Sequence, residues 1–134
     1  MEFDFVILDE PESTNSEALK LAKSTDRPTF VVAKKQTNGR GRTDRSWSDP
    51  SGNFSGSILI RIDEDLQNLA LRSFVAALSV FDAIEQKIGK EHELLLKWPN
   101  DLLLNGRKIC GILLETKNFG TISALVIGIG VNLL

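Results

Sequence analysis

The chain has 134 residues, 42% hydrophobic and 25% charged, with 10 glycines, 4 prolines and a formal net charge of −2. These are the proportions of an ordinary globular domain, and a chain of this length buries roughly 68% of its unfolded surface, enough for a core without disulfides or a structural metal. No apolar run approaches the ~18 residues of a bilayer span, and the opening MEFDFVILDE lacks the basic flank and apolar stretch of a secretory signal, so the expectation is one soluble cytoplasmic domain. A single cysteine, Cys110, and a single histidine, His92, exclude an internal disulfide and a Cys/His zinc site, which leaves oxygens to hold any metal.

The alternation of Phe3, Phe5 and Ile7 with Asp4, Val6 and Leu8 predicts a strand with one strongly buried face, ended by Pro11. Thr14 followed three residues later by Glu17 has the form of a capping box, and Ala18, Leu19, Leu21 and Ala22 supply the apolar stripe of a short helix reaching about Ser24. Thr29 to Ala33 is a second strand. A long irregular segment follows, from about Gln36 to Gly52, interrupted by Gly39, Gly41, Asp44, Pro50 and Gly52; loops of this length inside a compact domain are usually functional or disordered.

Asn53 to Ile62 alternates again and predicts a third strand. From Leu66 to Ile88 the spacing of Leu69, Ala70, Phe74, Ala77, Leu78, Phe81 and Ile84 follows the 3.6-residue period of a helix, with Gly89 as its stop. Three strands follow, Leu94 to Lys97, Asp101 to Leu104 and Lys108 to Thr116, the last two joined through Asn105-Gly106, a type I′ hairpin signal. After a turn at Asn118 to Gly120 a final strand runs from Thr121 to Ile129. Strands linked by tight hairpins and interrupted by two helices predict an α+β fold, with helices on one face of a mixed, largely antiparallel sheet.

The net charge hides a concentration of cations. Residues 34–45, KKQTNGRGRTDR, carry five cationic side chains against one Asp, a local +4 that leaves −6 for the rest. An acidic protein that gathers cations and glycines into one loop is suited to a compact anion such as phosphate. In Gly39-Arg40-Gly41-Arg42-Thr43-Asp44-Arg45-Ser46-Trp47 the glycines permit close approach of a ligand, the arginines offer planar forks for paired oxygens, and Trp47 offers a flat face for a purine. The alternatives are a solvated loop or a nucleic-acid contact, the latter disfavoured by the acidic remainder. Lys97-Trp98-Pro99-Asn100-Asp101 is either a Pro-driven turn capped by Asn100 and Asp101 or a source of oxygens for Mg²⁺. Lys108 is either an exposed edge residue or a point charge for a transition state with growing negative charge. Gly128-Ile129-Gly130 is no dinucleotide fingerprint, since no helix follows it, and its glycines are better read as points of close backbone approach. Cys110 reads as a buried packing residue and His92, between Glu91 and Glu93, as a solvated one.

In this order the segments resemble the catalytic domain of biotin protein ligases: Ser13-Thr14-Asn15, Gln36 with GRGR and Arg45-x-Trp47, KWPND at 97–101, GRKICGILLE at 106–115 and GIGVN at 128–132. The resemblance implies a fold shared with class II aminoacyl-tRNA synthetases. It also implies ATP-dependent activation of biotin to biotinyl-5′-AMP and transfer to a lysine of a biotin carboxyl carrier domain. Biotin contacts fall on Ser13, Thr14, Asn15, Gln36, Gly39, Arg40, Gly41, Arg42, Lys108 and Gly111. ATP contacts fall on Arg42, Arg45, Trp47, Lys97, Asn100, Asp101, Lys108 and Asn132, with Asp101 near Mg²⁺ and Arg42 and Lys108 as the catalytic cations. Residues 36–48 are expected to be mobile without ligand and ordered with it. Against the family pattern, Asp44 stands where glycine is common; the expectation from the resemblance is a single catalytic domain over residues 1–134, with no DNA-binding domain and without the family's carboxy-terminal part and small β-domain. A non-catalytic biotin-binding module and a lipoate or octanoate ligase are the alternative functions, and a homodimer is left open.

Overall fold

A computed structural model describes residues 2–63 and 68–133 of the chain. The elements run β1 (Asp4–Leu8), α1 (Thr14–Leu21), β2 (Thr29–Ala33), β3 (Phe54–Ile62), α2 (Leu69–Glu85), β4 (Leu94–Lys97), β5 (Asp101–Leu104), β6 (Arg107–Phe119) and β7 (Ile122–Val131). Leu66, at which the periodicity starts the second helix, lies outside the described residues. The strands form one sheet in the order β1-β2-β3-β7-β6-β5-β4, in which β1 and β2 pair parallel and every other pair is antiparallel. The parallel pair needs a crossover, which α1 provides, and α2 carries the chain from the centre of the sheet to its far edge. The α+β class and the mixed sheet are therefore as the sequence predicts. So is the β5–β6 hairpin, where Asn105 and Gly106 take φ of 49° and 80°.

The two helices, however, do not share a face. Ala18 and Ala22 of α1, one turn apart, pack closely on Val31, Leu59, Ala124 and Val126. Ala77 of α2 packs with Leu102, Cys110, Ile112 and Val131, bordered by Ile127 and Ile129. Val126 and Ile127 are neighbours on β7 and so point to opposite sides of the sheet. The central strands are apolar on both sides and need cover on both, a demand that the order of elements along the chain does not reveal.

The first strand illustrates the same ambiguity. Val6 and Leu8 pack against the α1 core, whereas Phe5 and Ile7 remain 68% and 72% exposed. Both sides of β1 are apolar, and α1 chooses between them. On the other face α2 packs on β4, β5 and β6, which leaves Phe5 to stack on Phe30 of β2 with ring centroids 5.2 Å apart. The helix start also shifts by one residue: Ser13, not Thr14, is the N-cap, its hydroxyl accepting from the Ser16 amide. That shift frees the Thr14 side chain for the site. Cys110 is fully buried and His92 exposed, as expected.

Candidate active site

A cavity of about 340 Å³ opens on the α1 side of the sheet. Its floor comes from the start of α1 and the adjoining strands. The amide of Thr14 donates to Gln36 Oε1 (2.8 Å), Gln36 Nε2 donates to Ser55 Oγ (3.3 Å), and the Gln36 amide donates to Asp49 Oδ2 (2.8 Å). Ser57 Oγ lies 2.7 Å from Thr14 Oγ1 and 2.6 Å from Asn15 Oδ1. These groups are fixed by one another before any ligand arrives. Ser13 keeps its hydroxyl hydrogen, since its oxygen only accepts within the cap, and Gln36 keeps a second N–H.

Two cross-strand glycines make the wall. Gly111 on β6 and Gly130 on β7 face each other in register, and the Trp47 indole lies over both; a Cβ at Gly130 would stand 2.5 Å from Trp47 Cε2. At Gly128 a Cβ would stand 2.3 Å from Asn15 Oδ1, so this glycine admits the Asn15 amide. Close approach is thus the use of both glycines in the GIGVN segment.

The rim is formed by the loop, which folds back as a small hairpin. The Trp47 amide donates to the Gly39 carbonyl (2.8 Å), the Gly41 amide to the Arg45 carbonyl (2.7 Å) and the Arg45 amide to the Arg42 carbonyl (3.2 Å). The turn between Arg42 and Arg45 puts Thr43 and Asp44 at φ of 52° and 57°. Asp and Asn are the side-chain-bearing residues that best tolerate this region, whereas a β-branched Thr is strained there. Glycine at position 44 would serve the same turn, and the Asp44 carboxylate stays at the exposed tip.

The charges divide into paired and free. Arg40 grips Glu115 with both arms of its guanidinium (2.7 and 2.8 Å), and Asn15 Nδ2 donates to the same carboxylate (2.8 Å). Burial alone pushes the Glu115 carboxyl up, but the hydrogen bonds from Arg40 and Asn15 and the Arg40 charge together hold it below the usual glutamate range. Lys108 Nζ lies 3.0 Å from Asp101 Oδ1 and 5.7 Å from the centre of the Trp47 ring. Arg42 and Arg45 line the cavity and are exposed. Asn100 is 4% exposed; its amide donates to the Ile112 carbonyl, while its Oδ1 and the Trp47 indole N–H are buried and have no hydrogen-bond partner among the described residues.

Most residues singled out in the sequence therefore meet here. Ser13, Thr14, Asn15 and Gln36 form the floor, Arg40, Gly41, Arg42, Arg45 and Trp47 the rim, and Asn100, Asp101, Lys108 and Gly111 the opposite side. Three do not line the cavity. Gly39 is buried beneath the loop, where a Cβ would stand 2.7 Å from the Trp47 carbonyl. Lys97 is exposed at the end of β4, the sheet's edge strand. Asn132 is tied to Asn53 (Nδ2 to Asn132 Oδ1, 3.1 Å) and reaches the Lys108 carbonyl with its own Nδ2 (3.4 Å), so it braces Lys108 from behind. Sequence reasoning passed over Ser55, Ser57 and Glu115. Ser55 and Ser57 left a signal, two polar residues at alternate positions on one side of β3, whereas Glu115 sits where the apolar run of β6 gives way to Thr116, Lys117 and Asn118 and reads as solvated.

A preorganised polar floor, a tight glycine wall and a cationic rim on a mixed sheet have the chemistry suited to a small polar molecule beside an anion. The chain belongs to the biotin/lipoate A/B protein ligase family, whose sequence pattern it matches over residues 7–132. It is 47% identical over 123 residues to the biotin–[acetyl-CoA-carboxylase] ligase of Paracoccus denitrificans, a match covering 91% of this chain and 51% of that protein. Among solved structures, the biotin protein ligase of Leishmania major with biotinyl-5-AMP superposes with a TM-score of 0.80 at 27% identity, over 96% of this chain and 57% of that one. The Aquifex aeolicus enzyme with biotin and ATP gives 0.78 at 33% identity, over 96% and 52%. The chain thus spans about half the length of the relatives it matches. Among the described residues no helix is long and apolar enough to cross a membrane.

Proposed function

We propose that this chain is the catalytic core of a biotin protein ligase that converts biotin and ATP to biotinyl-5′-AMP and then passes biotin to a carrier-domain lysine. One observation carries the reading: the hydrogen-bonding floor and the free cations open into a single cavity. The ureido ring of biotin needs donors and acceptors together, and Ser13, Thr14 and Gln36 offer both. Its valeryl chain would run across the cavity from this floor and bring the carboxylate toward Lys108 on the opposite side.

A carboxylate is a poor acyl donor, so the first step is its in-line attack on the α-phosphorus of ATP, forming the mixed anhydride and expelling pyrophosphate. Two anions must meet. Arg42 on the rim and Lys108, positioned by Asp101 at 3.0 Å, offset their repulsion and stabilise the charge developing on the phosphoryl oxygens. Arg45 faces the polyphosphate, and Trp47 presents its ring to adenine. In the second step the neutral amine of the acceptor lysine attacks the anhydride carbonyl and AMP leaves with the bonding electron pair. No side chain of this protein is required as a nucleophile.

Mg²⁺ fits at Asp101 and the unpartnered Asn100 Oδ1. The remaining ligands of such an ion would come from water and phosphate. When bound it would neutralise part of the triphosphate charge.

Incubation with biotin, ATP and Mg²⁺ is expected to release pyrophosphate, and addition of a carrier domain to add one biotinyl group to its lysine. Biotin binding without pyrophosphate would reduce the chain to a binding module. Release with octanoate and not with biotin would move it to the lipoate branch of the family.

A further inference from the structure

Glu115 is the acidic residue whose position the reaction does not explain. It lies on β6, on the cavity's side of the sheet, just behind the lining residues Arg40 and Asn15 of a site that must attract phosphates, where an unpaired carboxylate would repel them. The structure pairs it completely. Arg40 meets both oxygens from 75 positions away in sequence, Asn15 Nδ2 adds a third donor, and Arg40 Nη2 also reaches Ser16 Oγ at 3.2 Å. The carboxylate therefore ties three elements together: the loop, the first turn of α1 and the central sheet.

The position of Arg40 gives this tie its consequence. Arg40 bridges Ser46 across the base of the hairpin that carries Arg42 and Arg45, and the other leg of that hairpin ends in Trp47, seated on Gly130. One leg is anchored by charge and the other by shape. Release of the charged anchor leaves the Trp47 leg alone to hold the rim. The half-buried setting, with side-chain exposures of 36% for Arg40 and 24% for Glu115, keeps the pair from being a freely solvated one of little consequence. A guanidinium committed to Glu115 is also not available to the ligand, so the arginines of the GRGR segment divide their labour: Arg40 holds the loop and Arg42 meets the anion.

We infer that Glu115 is a positioning residue which, through Arg40, latches the glycine-arginine loop over the cavity and so sets how long the adenylate is retained. The inference rests on the ligase reading for its ligand but not for its mechanics, and the test separates the two. Glu115→Gln keeps the shape and removes the charge; Arg40→Gln removes the partner from the loop side and remains useful if the strand variant folds poorly. Amide hydrogen exchange over residues 39–47 is measured without ligand, and the dissociation rate of a non-hydrolysable biotinyl-adenylate analogue is measured with it.

Each single variant is expected to speed exchange in that segment and analogue dissociation by about tenfold, the size of one charge-assisted hydrogen bond. The double variant should be no worse than either single one, because both remove the same contact. Arg40→Lys, which keeps the charge but not the fork, should fall between wild type and Arg40→Gln. Singles whose effects multiply in the double variant, or exchange and dissociation within about twofold of wild type, would overturn the latch. Failure of the wild-type protein to bind the analogue would instead overturn the ligase reading, and exchange alone would then decide for or against the latch.

Discussion

Substitution of Gly128 by alanine tests whether the floor of the site is built by close approach. A Cβ there would stand 2.3 Å from Asn15 Oδ1, 2.9 Å from Cγ and 3.0 Å from Nδ2, so the amide must retreat by about an ångström to reach ordinary contact. It has nowhere to go. Asn15 is 3% exposed, and its amide is spent on Ser57 (2.6 Å), on Glu115 (2.8 Å) and on the Leu113 carbonyl (3.3 Å). Overpacking typically costs about 1–3 kcal/mol; a lost neutral hydrogen bond adds about 1 kcal/mol and one to a carboxylate about 2 kcal/mol. Allowing for partial relaxation, the expected destabilisation is about 3–5 kcal/mol, a large part of the roughly 5–15 kcal/mol that holds a domain together. With a urea slope of about 1–3 kcal/mol per molar, the midpoint should fall by more than about 1 M. Gly41→Ala is the matched control, since its Cβ meets the Arg45 carbonyl at an ordinary 3.4 Å. Equal midpoints for the two variants would refute the close-approach account of the GIGVN segment.

The remaining expectations follow from the same geometry. Lys108→Ala should slow pyrophosphate release by about 10²–10³-fold, as loss of one transition-state donor does elsewhere, while the urea midpoint barely moves, because the Lys108–Asp101 pair is partly exposed; an unchanged rate would remove Lys108 from the reaction. Leu102→Ala, at a fully buried position, should cost about 2–5 kcal/mol, whereas Ile7→Ala on the open face of β1 should cost well under about 1 kcal/mol; similar losses would mean that this face is covered in solution. Burial, with the Asp101 charge added, pushes the Cys110 thiol up to about 12 against the opposing effect of Lys108. Its folded value lies above the unfolded one of about 8.5, so its contribution to stability is complete below that pH and is lost as pH rises toward the folded value. The chain has no tyrosine to mask this, and Cys110→Ala should flatten the fall in urea midpoint between about pH 8 and pH 10; an unaltered slope would refute the assignment.

Much of this protein is decided locally. The Asn105-Gly106 turn, the alternation of β3 and the 3.6-residue spacing of α2 are contained in short stretches of chain, because backbone preference and hydrophobic period act over a few residues. The site was also largely legible, since glycines, arginines and an Asn-Asp pair are chemically distinctive wherever they fall. Which face each strand buries was not. Phe5 and Val6 are equally apolar neighbours, and only the docking of α1 on the Val6 side separates them. The same limit hid Glu115: a carboxylate in a strand reads as a solvated residue until the fold brings Arg40 across 75 positions to meet it. Local chemistry wrote the list of parts, and contacts between distant parts, whose energies no local window contains, assigned each its partner.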